Sequence, residues 1–168
     1  MMFSRITRLL AFVAVVPSAV VVAKPEQIRG VTDPIFHYYL QAYPQDSTIP
    51  VMGPEASSEY FNIANGAIQS ANSSAYLTVG SDSTSYKTLS LSSTSSSAAD
   101  NTTAPGWALE GDTIITATTS AWGRQLNFLV CQVGSGADYW QVYLQTGSDV
   151  PTGKTCSNYQ SLHLPCLC

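Results

Sequence analysis

The chain has 168 residues, 11 Asp and Glu against 7 Lys and Arg, 45% hydrophobic residues and four cysteines. That length is enough for one domain and leaves no room for two full cores. Two of the basic residues, Arg5 and Arg8, fall in an amino-terminal leader; without them five basic residues face eleven acidic ones, a balance that excludes phosphate-backbone binding and so nucleic acid as a main partner.

The leader is "MMFSRITRLLAFVAVVPSAVVVA", residues 1–23, with two arginines, an apolar run from Leu9 to Ala23 broken by Pro17 and Ser18, and small residues at its end. This is the pattern of a signal peptide cut after Ala23, and the run is shorter than the roughly 20 residues a membrane-spanning helix needs. The expectation is a secreted, extracellular chain of residues 24–168 with no membrane span. Asn72-Ser73-Ser74 and Asn101-Thr102-Thr103 are N-glycosylation acceptors in turn-like surroundings. Cys131, Cys156, Cys166 and Cys168 form an even set, which in a secreted chain favours two disulfides over a zinc site. A bridge from Cys166 to Cys168 would close a tight ring, so each is expected to reach back to Cys131 or Cys156 and fasten the carboxyl terminus.

Beyond Pro25 the chain alternates short runs of Val, Ile, Tyr, Phe and Thr with Gly, Asn, Asp, Ser and Pro. Candidate strands, in order, are 35–43, 49–53, 59–64, 66–71, 75–80, 87–92, 106–111, 112–118, 125–132, 139–145 and 161–166. The stretch 93–105, rich in Ser and Thr, reads as a surface loop. "FNIANGAI" (61–68) and "WALEGDTI" (107–114) share one form: an aromatic, an apolar residue two further on, a glycine-containing turn and an isoleucine in eighth place. Each reads as a hairpin with one apolar face, and each is followed by a leucine-rich strand with an aromatic beside it, "AYLTV" and "LNFLVC". Three cycles of about 40 residues give an all-β, trefoil-like barrel, the alternative being a two-sheet sandwich. The third cycle, from "LNFLVC" through "YWQVYLQTG" to "LHLPCLC", has no clean copy of the hairpin.

These hairpin strings resemble the repeats of ricin-type lectins, and the acidic, Ser-rich chain with its "LHLPCLC" tail is similar to small secreted proteins of filamentous fungi. The resemblance implies a β-trefoil and carbohydrate binding without a cofactor. The Gln-x-Trp string of ricin-type repeats is absent, and no Asp, aromatic and Asn constellation carries over residue by residue.

No catalytic residue is assigned from the sequence. No Gly-x-Ser-x-Gly elbow is present, and Ser135 in "GSGAD" reads as a turn residue. His37 and His163 lie in predicted strands; pairing of the first and last strands would bring them toward each other. Glu110 and Asp112 flank Gly111 at a hairpin tip, where turn chemistry explains them better than a glycosidase carboxylate pair. No metal-ligand spacing is found. Trp107 and Trp140 fit core positions, which leaves Trp122 in "TTSAWGRQ" as the aromatic least committed to packing, with Arg124 and Asn127 beside it as candidate ligand-binding residues. The expected function is secreted, non-catalytic recognition of carbohydrate or cell-wall glycan. A protease inhibitor presenting "AYPQDSTIP" or the 93–105 loop is the second reading, and a surface or matrix protein without a discrete ligand the third; an enzyme ranks last.

Overall fold

The computed structural model describes residues 24–93, 106–134 and 138–165. The leader, Asn101, nearly all of the 93–105 loop, Ser135, Cys166 and Cys168 therefore lie outside the described residues. The fold is all-β, a strongly curled antiparallel sheet that forms a half-barrel. Its thirteen described strands are β1 (Arg29–Gly30), β2 (Tyr39–Tyr43), β3 (Asp46–Gly53), β4 (Phe61–Ala64), β5 (Ala67–Ser70), β6 (Tyr76–Val79), β7 (Tyr86–Ser92), β8 (Trp107–Glu110), β9 (Thr113–Thr116), β10 (Phe128–Gln132), β11 (Trp140–Gln145), β12 (Cys156–Gln160) and β13 (Leu162–His163). All join one network of pairings, ordered β4, β5, β6, β7, β11, β3, β2, β1, β13, β9, β8, with β10 on β11 and β12 on β10.

The two expected hairpins form in matching register. Phe61 lies opposite Ser70 and Ile63 opposite Ile68 in β4 and β5; Trp107 lies opposite Thr116 and Leu109 opposite Ile114 in β8 and β9. Asn65 and Gly66, both at positive φ (52° and 76°), make the two-residue turn of the first, the backbone twist that an Asn-Gly pair adopts most readily. Phe61, Trp107, Ile68 and Ile114 all turn inward to one core shared with Leu77, Leu89, Phe128 and Leu144. The hairpins also meet: the Trp107 N–H donates to the Gly66 carbonyl at 2.9 Å, and the Trp107 indole Nε1–H donates to the Leu77 carbonyl at 2.8 Å. The two ends of the strand order thus come together, and a curled sheet hides backbone groups that an open edge would expose.

β11 organises the sheet because it has different neighbours along its length. β10 covers one side throughout, while β3 pairs with Trp140 and Gln141 and β7 pairs with Tyr143, Leu144 and Gln145 on the other. Flanked on both sides, β10 and β11 are buried on both faces, with Phe128, Val130, Val142 and Leu144 in the main core and Leu129, Cys131 and Tyr143 in a second, smaller cluster.

Three expectations change. His37 is not in a strand: the run predicted at 35–43 becomes extended only at Tyr39, and His37 sits in the preceding turn at φ 62°. Cys131 and Cys156 are bonded to each other, which overturns the expectation that each bridges to Cys166 or Cys168. The cause is strand register. Cys131 faces Cys156 across β10 and β12 with their Cα atoms 4.0 Å apart, at a position without ladder hydrogen bonds next to the Gln132 N–H bond to the Thr155 carbonyl. Antiparallel strands approach most closely at such pairs. The bridge therefore clamps two neighbouring strands of the sheet instead of fastening the terminus. The "AYPQDSTIP" segment, read as a candidate inhibitory loop, is mostly strand: Tyr43 pairs with Asp46, and the Asp46 carboxylate accepts from the Thr48 N–H at 3.0 Å and its hydroxyl at 2.6 Å.

Candidate functional site: the seam of β1, β13 and β9

The first and last described strands close the sheet against each other. Arg29 lies opposite His163 on one side of β13, and Thr113 lies opposite His163 on the other. Residues directly opposite in an antiparallel ladder point to the same face, so Arg29, His163 and Thr113 form one row across three strands. Ser161 precedes His163 by two residues and projects to that face as well. Gly30 makes the row possible, since the turn after β1 folds back so closely that a Cβ there would stand 2.4 Å from the Ile35 carbonyl oxygen.

A chain of hydrogen bonds runs through the row. The Asp112 carboxylate is 3.3 Å from His163 Nδ1, the Thr113 hydroxyl is also 3.3 Å from Nδ1, and the Ser161 hydroxyl is 2.9 Å from Nε2. The donor roles follow from the ends. An ionised carboxylate can only accept, so Nδ1 carries the proton that Asp112 receives; in the neutral ring Nε2 is then an acceptor, and Ser161 donates to it. The imidazole is mostly enclosed, its side chain 19% exposed, whereas Asp112 is 45% exposed.

The His163 hydrogen bond holds the Asp112 carboxyl below the ordinary carboxylate range, with the charges of His163 and Arg29 adding to it and burial opposing it. A depressed carboxyl pKa contributes stability that is complete above its unfolded value, about 3.9, and is lost as pH falls through the folded value. Asp112→Asn is accordingly expected to lower Tm at neutral pH by a small amount, and the difference from the parent should close as pH falls through the depressed value of the folded carboxyl. Melting curves across that range check it; a difference independent of pH would show that the carboxylate charge is not what matters.

Arg29 adds positive charge from the neighbouring strand, and its Nε is the one buried side-chain polar atom among the described residues without a hydrogen-bond partner.

A second group of residues borders this seam. Gln160, buried at the end of β12, donates to the Asp33 carbonyl at 3.2 Å and accepts from the Thr32 hydroxyl at 2.7 Å, tying β12 to the turn between β1 and β2. Each of the two segments so joined carries an exposed ring: Phe36, 53% exposed, lies 4.0 Å from the His37 ring centroid to centroid, and Tyr159 is 62% exposed. Tyr159 sits at φ 58°, a left-handed conformation that is costly for a bulky side chain, and its N–H is held by Gln145 Oε1 at 2.7 Å.

The three residues singled out from the sequence lie on the connection from β9 to β10 and are not gathered into one open site. Trp122 is half-buried and packs against the main core, as Trp140 does. Arg124 is exposed but is engaged by Glu110, its Nε 2.8 Å from that carboxylate. Asn127 stands next to Phe128, which pairs with Gln160 on β12, and its carbonyl accepts from the Gln145 N–H of β11 at 2.9 Å. Glu110 and Asp112 part company, one to Arg124 and the other to His163, and do not act as a facing carboxylate pair. Asn72 is exposed in the turn between β5 and β6, open to a glycan. No group of three or more His, Cys, Asp or Glu placed to hold a metal occurs among the described residues, and no helix among them is long and apolar enough to cross a membrane. The sequence carried one visible trace of the hydrogen-bonded chain, the Ser-Leu-His spacing of a strand face; Asp112, fifty-one residues away from His163, gave none. No family model, no curated protein and no solved structure matches this chain.

Proposed function

We propose that the protein is a secreted glycan-binding protein, one that recognises carbohydrate or cell-wall polysaccharide through aromatic rings and neighbouring polar groups without a cofactor. The observation that carries this reading is the pair of exposed rings, Phe36 and Tyr159, on segments joined by the buried Gln160. A flat exposed ring offers its face to the apolar face of a sugar, and a segment already fixed by hydrogen bonds loses little entropy on binding. Holding Tyr159 in a left-handed conformation costs about 1–2 kcal/mol, an expense that packing does not explain for a side chain turned to water.

The experiment is retention of the protein on insoluble chitin, β-glucan and cellulose, with free sugar as competitor. Tyr159→Ala and Phe36→Ala are each expected to weaken retention several-fold, consistent with about 0.5–1.5 kcal/mol per stacked ring, and to leave Tm unchanged. Loss of retention in Trp122→Ala alone would move the site to the connection between β9 and β10. Absence of retention on every polysaccharide would refute the reading.

A further inference from the structure

We propose that Ser161 is an activated nucleophile, with His163 as its general base and Asp112 as the positioning residue, and that the seam of β1, β13 and β9 cleaves small carboxylic esters. The proposal stands apart from glycan binding and uses a different readout.

Three features set this cluster apart from an ordinary surface histidine. The contacts are ordered: carboxylate on Nδ1 and hydroxyl on Nε2, the arrangement in which an acceptor-only group fixes the tautomer and leaves the other ring nitrogen free to take the serine proton. Ser161 and His163 are two residues apart at the last described strand, while Asp112 comes from the β8–β9 turn fifty-one residues away from His163, so the carboxylate on Nδ1 is supplied by strand pairing and not by local turn chemistry. A guanidinium is also at hand. Arg29 lies across the ladder from His163, so its positive charge adds to the field in which a carbonyl oxygen would turn into an oxyanion.

The reaction balances without any co-reactant other than water. As Ser161 Oγ attacks the ester carbonyl carbon, its proton passes to His163 Nε2, and the tetrahedral intermediate forms with negative charge on the former carbonyl oxygen. The bond from carbon to the alcohol oxygen then breaks, and the departing alcohol takes the proton from Nε2. Water attacks the acyl-serine, giving a proton to Nε2, and cleavage of the Oγ–carbon bond returns that proton to Ser161. One ester and one water become one carboxylic acid and one alcohol. Asp112 stays ionised throughout and steadies the imidazolium.

The test is treatment of the native protein with a fluorophosphonate, followed by peptide mass spectrometry. The expected result is one adduct per chain, on Ser161, that fails to form after heat denaturation and slows at least tenfold in Asp112→Asn. Ser161→Ala and His163→Ala should each lose labelling, and p-nitrophenyl acetate hydrolysis should fall with it. No adduct on the native protein, or an adduct on another serine, overturns the proposal, and neither outcome depends on whether a variant folds. Retention on polysaccharide is scored separately in the same preparations, so failure of either proposal leaves the other standing.

Discussion

Removing the Cys131–Cys156 bridge by the double substitution Cys131→Ala and Cys156→Ala is expected to lower stability by about 3.5 kcal/mol and Tm by roughly 10 °C. The figure comes from the loop it closes. The cysteines are 25 residues apart, and a cross-link across that many residues withdraws about 12 cal/mol/K of entropy from the unfolded chain. Replacing both residues avoids leaving an unpaired thiol at either of these two positions, and alanine fills part of the second cluster, where Cys131 and Cys156 pack with Leu129, Tyr143 and Tyr86. Thermal melts of parent and variant, with and without reductant, measure it. Reductant should bring the parent toward the variant and leave the variant unmoved, provided Cys131 and Cys156 are the bond that matters. A variant that melts with the parent would mean that strand pairing between β10 and β12 already confines this segment in the unfolded ensemble.

Much of the fold is legible in the sequence, and the places where it is not have physical reasons. All eleven predicted runs contain a strand, because ten of them place β-branched or aromatic residues between turn residues and the last, 161–166, alternates leucine with polar residues. The strands that escape notice are β1 and β12. β1 is the two residues Arg29 and Gly30, too short to show any period, and β12 is "CSNYQ", polar and without alternation. Both are strands because of what lies beside them: β1 between β2 and β13, β12 along β10. Tertiary pairing supplies what local propensity lacks. His37 is misplaced for a related reason. Its neighbours have the composition of a strand, while the close return of the chain onto Gly30 forces a turn that composition does not signal.

The site follows the same division. Phe36, Tyr159, Ser161 and His163 are aromatic, hydroxyl and imidazole groups of ordinary appearance in sequence; what distinguishes them is exposure, left-handed backbone or an ordered set of hydrogen bonds. Those are properties of the closed sheet. Asp112 reads as turn chemistry, and it is a turn residue; its second role depends on the pairing of β9 with β13, which places a hairpin tip against the last described strand. Trp122 drew attention because its surroundings are polar in sequence, but the connection that carries it folds over the core and covers one side of the ring.

Phe128→Ala is the core substitution expected to cost most, about 3–5 kcal/mol. Phe128 has no exposed surface, lies in the main cluster, and stacks on Trp107 with ring centroids 6.4 Å apart and planes 13° apart. Its backbone sits between Leu144 on β11 and Gln160 on β12. The position therefore joins three parts of the molecule: the β8–β9 hairpin through Trp107, the central β11, and the seam through Gln160. Truncation removes an aromatic side chain that strands held on both sides cannot close around, so transfer and cavity costs add. Leu109→Ala supplies the contrast, since Leu109 belongs to the same hairpin as Trp107 but is 41% exposed, and its loss should cost well under about 1 kcal/mol. Denaturant melts of the two variants give the comparison. A large effect at both positions would mean that the hairpin responds to any loss of apolar surface, and a small effect at both that the core around Phe128 repacks. The expected result, a large loss at Phe128 alone, would also be felt at the seam: with Gln160 no longer backed by a filled core, Tyr159 should lose its fixed presentation, and hydrogen exchange at the Tyr159 amide should quicken before global unfolding.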